Sequence, residues 1–284
     1  MPAIMNKICI DSRFKTFDSP SNSDFKIELK ENYLVPENFG AVITDVCIPR
    51  SWYTVEPYNN KLYFRITNGG AISDCIAELD PQNYDIQTLA DQIQVLMNTA
   101  AGVYNSQGIV HVFSALPLPT KGIIIIDCIT GFTFQIFTDQ DMMTTMKASW
   151  TGLAYDSSNL QSINGAISHV GISYECNPLL PFLTGFVNTL PYESIYITSN
   201  QLSTFENVGP AGQSNILKRI TVDNTPFGSV ISNPWMNELD FTNVSKQLLR
   251  TLHFRITDPY GNILNLHGAH VSFSIVFIQI PAEY

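Results

Sequence analysis

Apolar and polar positions alternate with a period of two along most of the chain, in short β-branched runs bounded by Gly, Pro and Asn. That is the pattern of half-buried β-strands. It predicts strands at 25–29 (FKIEL), 41–49 (AVITDVCIP), 61–67 (KLYFRIT), 75–79 (CIAEL), 109–113 (IVHVF), 123–127 (IIIID) and 132–137 (FTFQIF). Further strands are predicted at 166–173 (AISHVGIS), 194–198 (SIYIT), 216–222 (ILKRITV), 248–257 (LLRTLHFRIT) and 270–280 (HVSFSIVFIQI), with 7–12 (KICIDS) as a candidate edge strand. Turn chemistry separates them at Asn59-Asn60, Asn68-Gly69-Gly70, Thr130-Gly131 and Asp258-Pro259-Tyr260-Gly261.

One segment has helical spacing instead. Ile86, Leu89, Ile93 and the Leu96-Met97 pair share a face of a helix over 84–97, with Asp85 as N-cap and Thr88 at the capping-box position. Four well-patterned strands precede residue 80 and four follow residue 190, with the helix and shorter strands between them. This arithmetic predicts an all-β fold: an eight-stranded jelly-roll sandwich with an inserted β-rich subdomain containing one short helix. The expected divisions are an N-terminal arm or edge strand (1–19), the first half of the jelly roll (20–80), the insertion (81–187) and the second half (188–284). A loop tolerates so large an insertion because closure entropy grows slowly with length.

Composition narrows what such a sandwich does. The 284 residues are 45% apolar but only 14% charged, against roughly 25% charged in an average globular chain. Neutral polar groups, 23 Asn among them, must therefore cover much of the surface, as suits a protein that meets other protein. The net charge of −10 and the absence of any basic cluster larger than Lys218-Arg219 argue against direct nucleic-acid binding and against an anionic membrane surface. The most apolar runs, GIIIIDCI and FSIVFIQI, are strand-length and far short of the ~20 residues that span a bilayer, so no membrane span is expected. The N-terminal residues lack an apolar stretch long enough for a signal-peptide core, which leads us to expect synthesis in the cytosol or nucleus. Cys9, Cys47, Cys75, Cys128 and Cys176 form no C-x-x-C pair and sit mostly in apolar runs. They read as small buried hydrophobes in a reducing compartment.

Catalytic patterns are sparse. His267 and His270 form H-x-x-H, with His253 upstream, but positions three apart on a strand face opposite ways, so no metal site is expected. No G-x-S-x-G occurs, and the loop Gly209-Pro210-Ala211-Gly212-Gln213-Ser214 lacks a P-loop lysine and precedes a strand. Asp139 and Asp141 lack the rest of a calcium loop. The expectation is a non-enzyme with no catalytic residue, no metal and no cofactor. Aromatic residues supply the remaining candidates. Trp52 and Tyr53, at the end of a long strand, either cap the core or anchor a sugar or subunit contact. Trp150 and Tyr155 are candidate readers of a receptor or glycan.

Several phrases, in order, carry a resemblance. FKIEL…LVP…AVITDVCIPRSWY resembles the first strands of penton (single jelly-roll minor capsid) proteins of virophages, polinton-like elements and adintoviruses. AELDPQNYDIQTLADQIQVLMN looks like a turn-and-helix segment of viral structural proteins, and DCITGFTFQIF and LLPFLTGF resemble the elements that follow it. LHFRITDPYGNILNLHGAHVSFSIVF is similar to the closing strand pair of that group. The resemblance implies a homopentamer at the five-fold vertices of an icosahedral virion, beside a double-jelly-roll major capsid protein, with an outward insertion able to meet a host receptor or glycan. It also implies assembly inside the host cell. No Arg-Gly-Asp tripeptide or basic N-terminal arm is present. A receptor- or carbohydrate-binding jelly-roll spike and a metal-dependent jelly-roll enzyme using His253, His267 and His270 are the alternatives.

Overall fold

The computed structural model describes residues 4–57, 59–105, 108–109, 111–137, 176–184, 186–187, 190, 192–202, 208–210, 212, 215–222, 225–233 and 241–280. Strands β1 (Ile4–Asp11), β2 (Asp24–Leu34) and β3 (Phe39–Pro49) open the chain. Then come β4 (Lys61–Asn68), β5 (Ala71–Glu78), the helix α1 (Ile86–Ala101), β6 (Tyr104–Asn105), β7 (Gly108–Ile109) and β8 (Phe113–Leu118). They are followed by β9 (Ile123–Cys128), β10 (Phe132–Ile136), β11 (Phe182–Leu183), β12 (Ser194–Thr198) and β13 (Ile216–Thr221). The chain closes with β14 (Val230–Asn233), β15 (Thr242–Asn243), β16 (Leu248–Thr257) and β17 (Ser272–Gln279). Contacts divide it into two compact units, residues 1–52 with 192–284 and residues 53–191.

In the first unit, one antiparallel sheet has the order β1-β17-β3-β14, with β15 pairing further along β3; the other has the order β2-β16-β12-β13. Strands near the two ends of the chain are neighbours in both sheets, β1 with β17 and β2 with β16. Four strands on four, wound from both ends of the sequence, make a jelly roll. Its interior is aromatic: Phe254 lies between Phe25 and Phe273, ring centroids 5.8 and 5.0 Å away, and Tyr33 lies 5.0 Å from Phe277. Lys218 is buried and donates to the Ile43 carbonyl at 3.0 Å, linking β13 of one sheet to β3 of the other. The Lys218-Arg219 pair is therefore not a surface basic patch. β3 and β17 bury residues on both faces. On the outer face, Val42, Val276 and Ile278 form a small cluster under Phe241, whose ring lies so close over Gly40 that a Cβ there would meet it at 2.9 Å.

The second unit holds the sheets β10-β4-β5 and β11-β9-β8, with α1 packed on β5 and β8. Asp85 caps the helix as its sequence suggests: its carboxylate accepts from Thr88 N–H at 2.7 Å while Asp85 N–H donates to Thr88 Oγ1 at 3.0 Å. Leu89, Ile93 and Met97 enter a core with Leu62, Phe64, Phe113, Ile124, Ile126 and Phe134. Edge-to-face contacts run from Phe64 through Phe113 to Phe134. The helix also closes a sheet edge with side chains. Asn98 donates to the Phe113 carbonyl and accepts from its N–H, both at 2.9 Å, and Gln94 accepts from Ala115 N–H at 2.9 Å. Those amides replace the missing neighbour strand of β8.

The expected divisions need correction. The units part at 52/53 and 191/192, not at 80/81 and 187/188. β4 and β5 belong to the insertion, because β4 pairs with β10 and β5 with β4, and they bury Leu62, Phe64, Ile66, Cys75 and Ala77 in its core. The jelly roll has three strands before the insertion and five after, counting β1 and β14 rather than β4 and β5. Alternation marks a strand without saying which sheet it joins. The predicted strand at 109–113 is divided between β7 and β8, and that at 166–173 lies outside the described residues.

Candidate functional site

Strand directions bring four connections of the jelly roll to one end: β1–β2, β13–β14, β16–β17, and the β3–β12 connection that the insertion replaces. Hydrogen bonds tie them together. Ser12 N–H donates to the Val271 carbonyl at 3.0 Å, Asn22 donates to the carbonyls of Gly268 and Ala269, and Ser51 Oγ donates to that of Leu266 at 2.8 Å. Where β3 ends, Arg50 N–H donates to the Ser229 carbonyl, Gly228 N–H donates to that of Arg50, both at 2.8 Å, and the guanidinium reaches the Thr225 carbonyl at 2.5 Å. Burial lowers the Arg50 pKa. The point where the chain leaves the sandwich is thus held by backbone and by one desolvated cation.

Around this end lies an open groove of about 450 Å³ lined by Lys15, Ser21–Ser23, Ile263–Leu266 and Gly268. Its polar groups already have protein partners: Lys15 donates to Asn22 Oδ1, and Ser23 donates to the Leu264 carbonyl at 2.5 Å. Phe14 and Phe17 on the β1–β2 loop, Phe227 on the β13–β14 loop and Tyr260 and Ile263 on the β16–β17 loop are exposed. Asp11 is held below the usual carboxylate range by the Arg13 guanidinium, whose own pKa it raises. Exposed aromatic side chains on these loops offer apolar contact area rather than acid–base groups.

The histidines are not brought together. His253 on β16 faces Asp24 on β2, with Nε2 2.5 Å from Oδ1. His270 is near Ser12, and His267 occupies a turn at φ +48°. Among the described residues, no group of three or more His, Cys, Asp or Glu side chains is placed to hold a metal ion. Trp52 is buried at 1% exposure, so it is a core residue and not available to stack on a ligand. Tyr53 is half-buried. Cys75, Cys128 and Cys176 are buried, and burial pushes the Cys75 and Cys128 thiols up to about 11. Cys9 is exposed, contrary to the expectation of burial, because its position on β1 turns it away from the sandwich interior. Gly212 N–H closes a turn on the Gly209 carbonyl. Asp139, Asp141, Trp150 and Tyr155 lie outside the described residues.

A second surface escaped the sequence reading. β9 directs Ile124, Ile126 and Cys128 into the insertion's core, leaving Ile123, Ile125 and Asp127 on the other face. The four-isoleucine run was its signal, since an antiparallel strand with one solvated face alternates.

The family model that matches this sequence covers residues 20–229, from the approach to β2 to the turn before β14. The chain belongs to DUF5901, a family of unknown function. The DUF5901 match runs through both unit boundaries, so it takes in jelly-roll strands and insertion as one sequence. No curated protein matches the chain. Among the described residues, no helix is long and apolar enough to cross a membrane.

Proposed function

We propose that this chain is a capsid penton: a structural subunit that closes a five-membered ring at the vertices of an icosahedral virion, next to a double-jelly-roll major capsid protein. The observation that carries the reading is a single jelly roll interrupted at one loop, between β3 and β12, by residues 53–191. A surface with few charges supports it, since burying one against neighbours desolvates few ions. So do the exposed aromatics grouped at one end of the sandwich. The mechanism is assembly. Head-to-tail contacts close a ring when the rotation per subunit matches the symmetry, here five-fold.

Mass measurement of the purified chain, with particle imaging, tests this. The expected result is a ring of five 31.7-kDa subunits, together with the chain's presence in virions beside the major capsid protein. A chain that is monomeric in solution and absent from particles overturns it.

A further inference from the structure

The sheet β11-β9-β8 has an apolar face on each side. One side belongs to the insertion's core. On the other, register sets Leu116 of β8 and Leu183 of β11 beside Ile125 of β9, and Leu118 beside Ile123. Leu116 is 59% and Leu183 44% exposed, and Phe186, whose ring lies against Gly122, is 75% exposed. Polar groups mark the two ends of this face. Ser114 and Asp127 pair at one end, and Lys121 sits in the β8–β9 turn at the other. The insertion is otherwise poor in cations, with four basic residues against eleven acidic.

We propose that this face docks on the same face of a second copy of the chain, about a two-fold axis near Ile125. The argument is self-complementarity. Rotation about Ile125 lays the row Leu116–Ile125–Leu183 on its own counterpart, sets the Leu118–Ile123 end of each copy against the Ser114–Asp127 end of the other, and so brings Lys121 of each copy within reach of Asp127 of the other. The axis sets position 121 opposite 129, two positions past 127, a gap of about 7 Å at the rise of a strand, which a lysine side chain spans. A generally acidic insertion repels another acidic surface, but this face offers its own copy one cation for each anion. Three short strands bury less than the ~1,600 Å² of a standard interface, so the association is weak and concentration-dependent. A two-fold contact cannot close a ring of five, and it is therefore a separate interface from the proposed ring.

Sedimentation of the full chain over a concentration series reads the contact, together with charge exchange. Lys121→Asp and Asp127→Lys each abolish the two-fold association, because each homodimer then faces like charges twice. An equimolar mixture of the two variants restores it, because both pairs become opposite again. In a Cys9→Ser background, Ile125→Cys forms an intermolecular disulfide under mild oxidation while Ser114→Cys forms little. All these changes fall on the outer face or the turn, away from the core. A mixture that fails to reassociate, or an Ile125→Cys chain that does not cross-link to itself, overturns the proposal. So does an Ile125→Cys thiol shielded from maleimide at dilutions where the chain sediments as a monomer, which would mean that another stretch of the chain covers the face. Ring mass and the 125–125 cross-link are independent readouts, so either proposal can fail alone.

Discussion

Each unit contains a strand that is apolar on both faces, and the two solve the resulting problem differently. In the jelly roll, the outer residues Val42, Val276 and Ile278 are 1%, 6% and 2% exposed, because Phe241 folds over Gly40 and covers them. In the insertion, the corresponding outer row holds Leu116 and Leu183 at 59% and 44% exposed. Charge separates the units as well. Residues 53–191 carry four basic and eleven acidic residues, net −7, against eleven and fourteen, net −3, in the rest of the chain. The jelly roll thus has an internal cover for its apolar outer face. The insertion leaves its own apolar face open on a strongly acidic body, which is the combination expected of a surface meant for a partner.

If the two units have separate cores, damage to one should leave the other standing. Phe254→Ala removes the ring between Phe25 and Phe273, and Phe113→Ala removes the one between Phe64 and Phe134. Each is expected to cost about 3–5 kcal/mol. Calorimetry should show Phe254→Ala lowering one thermal transition and Phe113→Ala the other. A single transition shifted by both variants would break the division.

A smaller effect separates the ways the units close their edges. Asn98→Ala leaves the buried N–H and carbonyl of Phe113 without their side-chain partner, at an expected cost on the order of 2–3 kcal/mol. Denaturant titration should place that loss in the insertion's transition alone, and amide exchange at Phe113 should rise. Asp85→Ala, which removes the helix N-cap, should cost about 1 kcal/mol in the same transition, with Asp85→Asn recovering most of it.

Acid should produce the smallest change, with a larger loss in the jelly roll than in the insertion. In the jelly roll, Asp11, Asp18 and Asp45 are held below the usual range by hydrogen bonds from Arg13, Lys26 and Lys7 respectively. In the insertion, Asp85 is held there by the Thr88 N–H. A depressed carboxylate stabilises the folded state above its unfolded pKa near 3.8, and that contribution is lost as pH falls through the lower folded value. Asp18, Asp45 and Asp85 are exposed and Asp11 is half-buried, and solvent screening keeps the loss slight. Protonation also relieves repulsion in the −7 insertion. Melting between about pH 6 and about pH 2.5, a range that runs below 3.8, should therefore lower the jelly-roll transition relative to that of the insertion; the reverse order would show that net repulsion does not matter here.

Local signals in the chain were strong where one short-range physical rule applied. The β16 and β12 ranges, the Asp85–Thr88 cap and the Asn68-Gly69-Gly70 turn all follow from neighbouring residues. At that turn Gly69 and Gly70 take φ +55° and +92°, which suits glycine because it has no Cβ. β14 and β15 were not legible, because Val230–Asn233 and Thr242–Asn243 are too short to show a period. Nor was the role of Asn98, a polar residue on the buried side of a helix. Only the fold reveals that the edge of β8 waits there.

From the residues themselves come the strand content, the single capped helix, the two-ended jelly-roll layout and the sparse charge, because alternation, capping and composition act over a few positions or over the whole chain at once. Tertiary structure decided the rest. It moved β4 and β5 into the insertion, made β1 a full member of the sandwich, buried Trp52 and Lys218, and separated the three histidines. It also left one apolar face covered and the other open. Those outcomes depend on which strands pair across long stretches of sequence, and a period of two is the same whichever partner a strand finds.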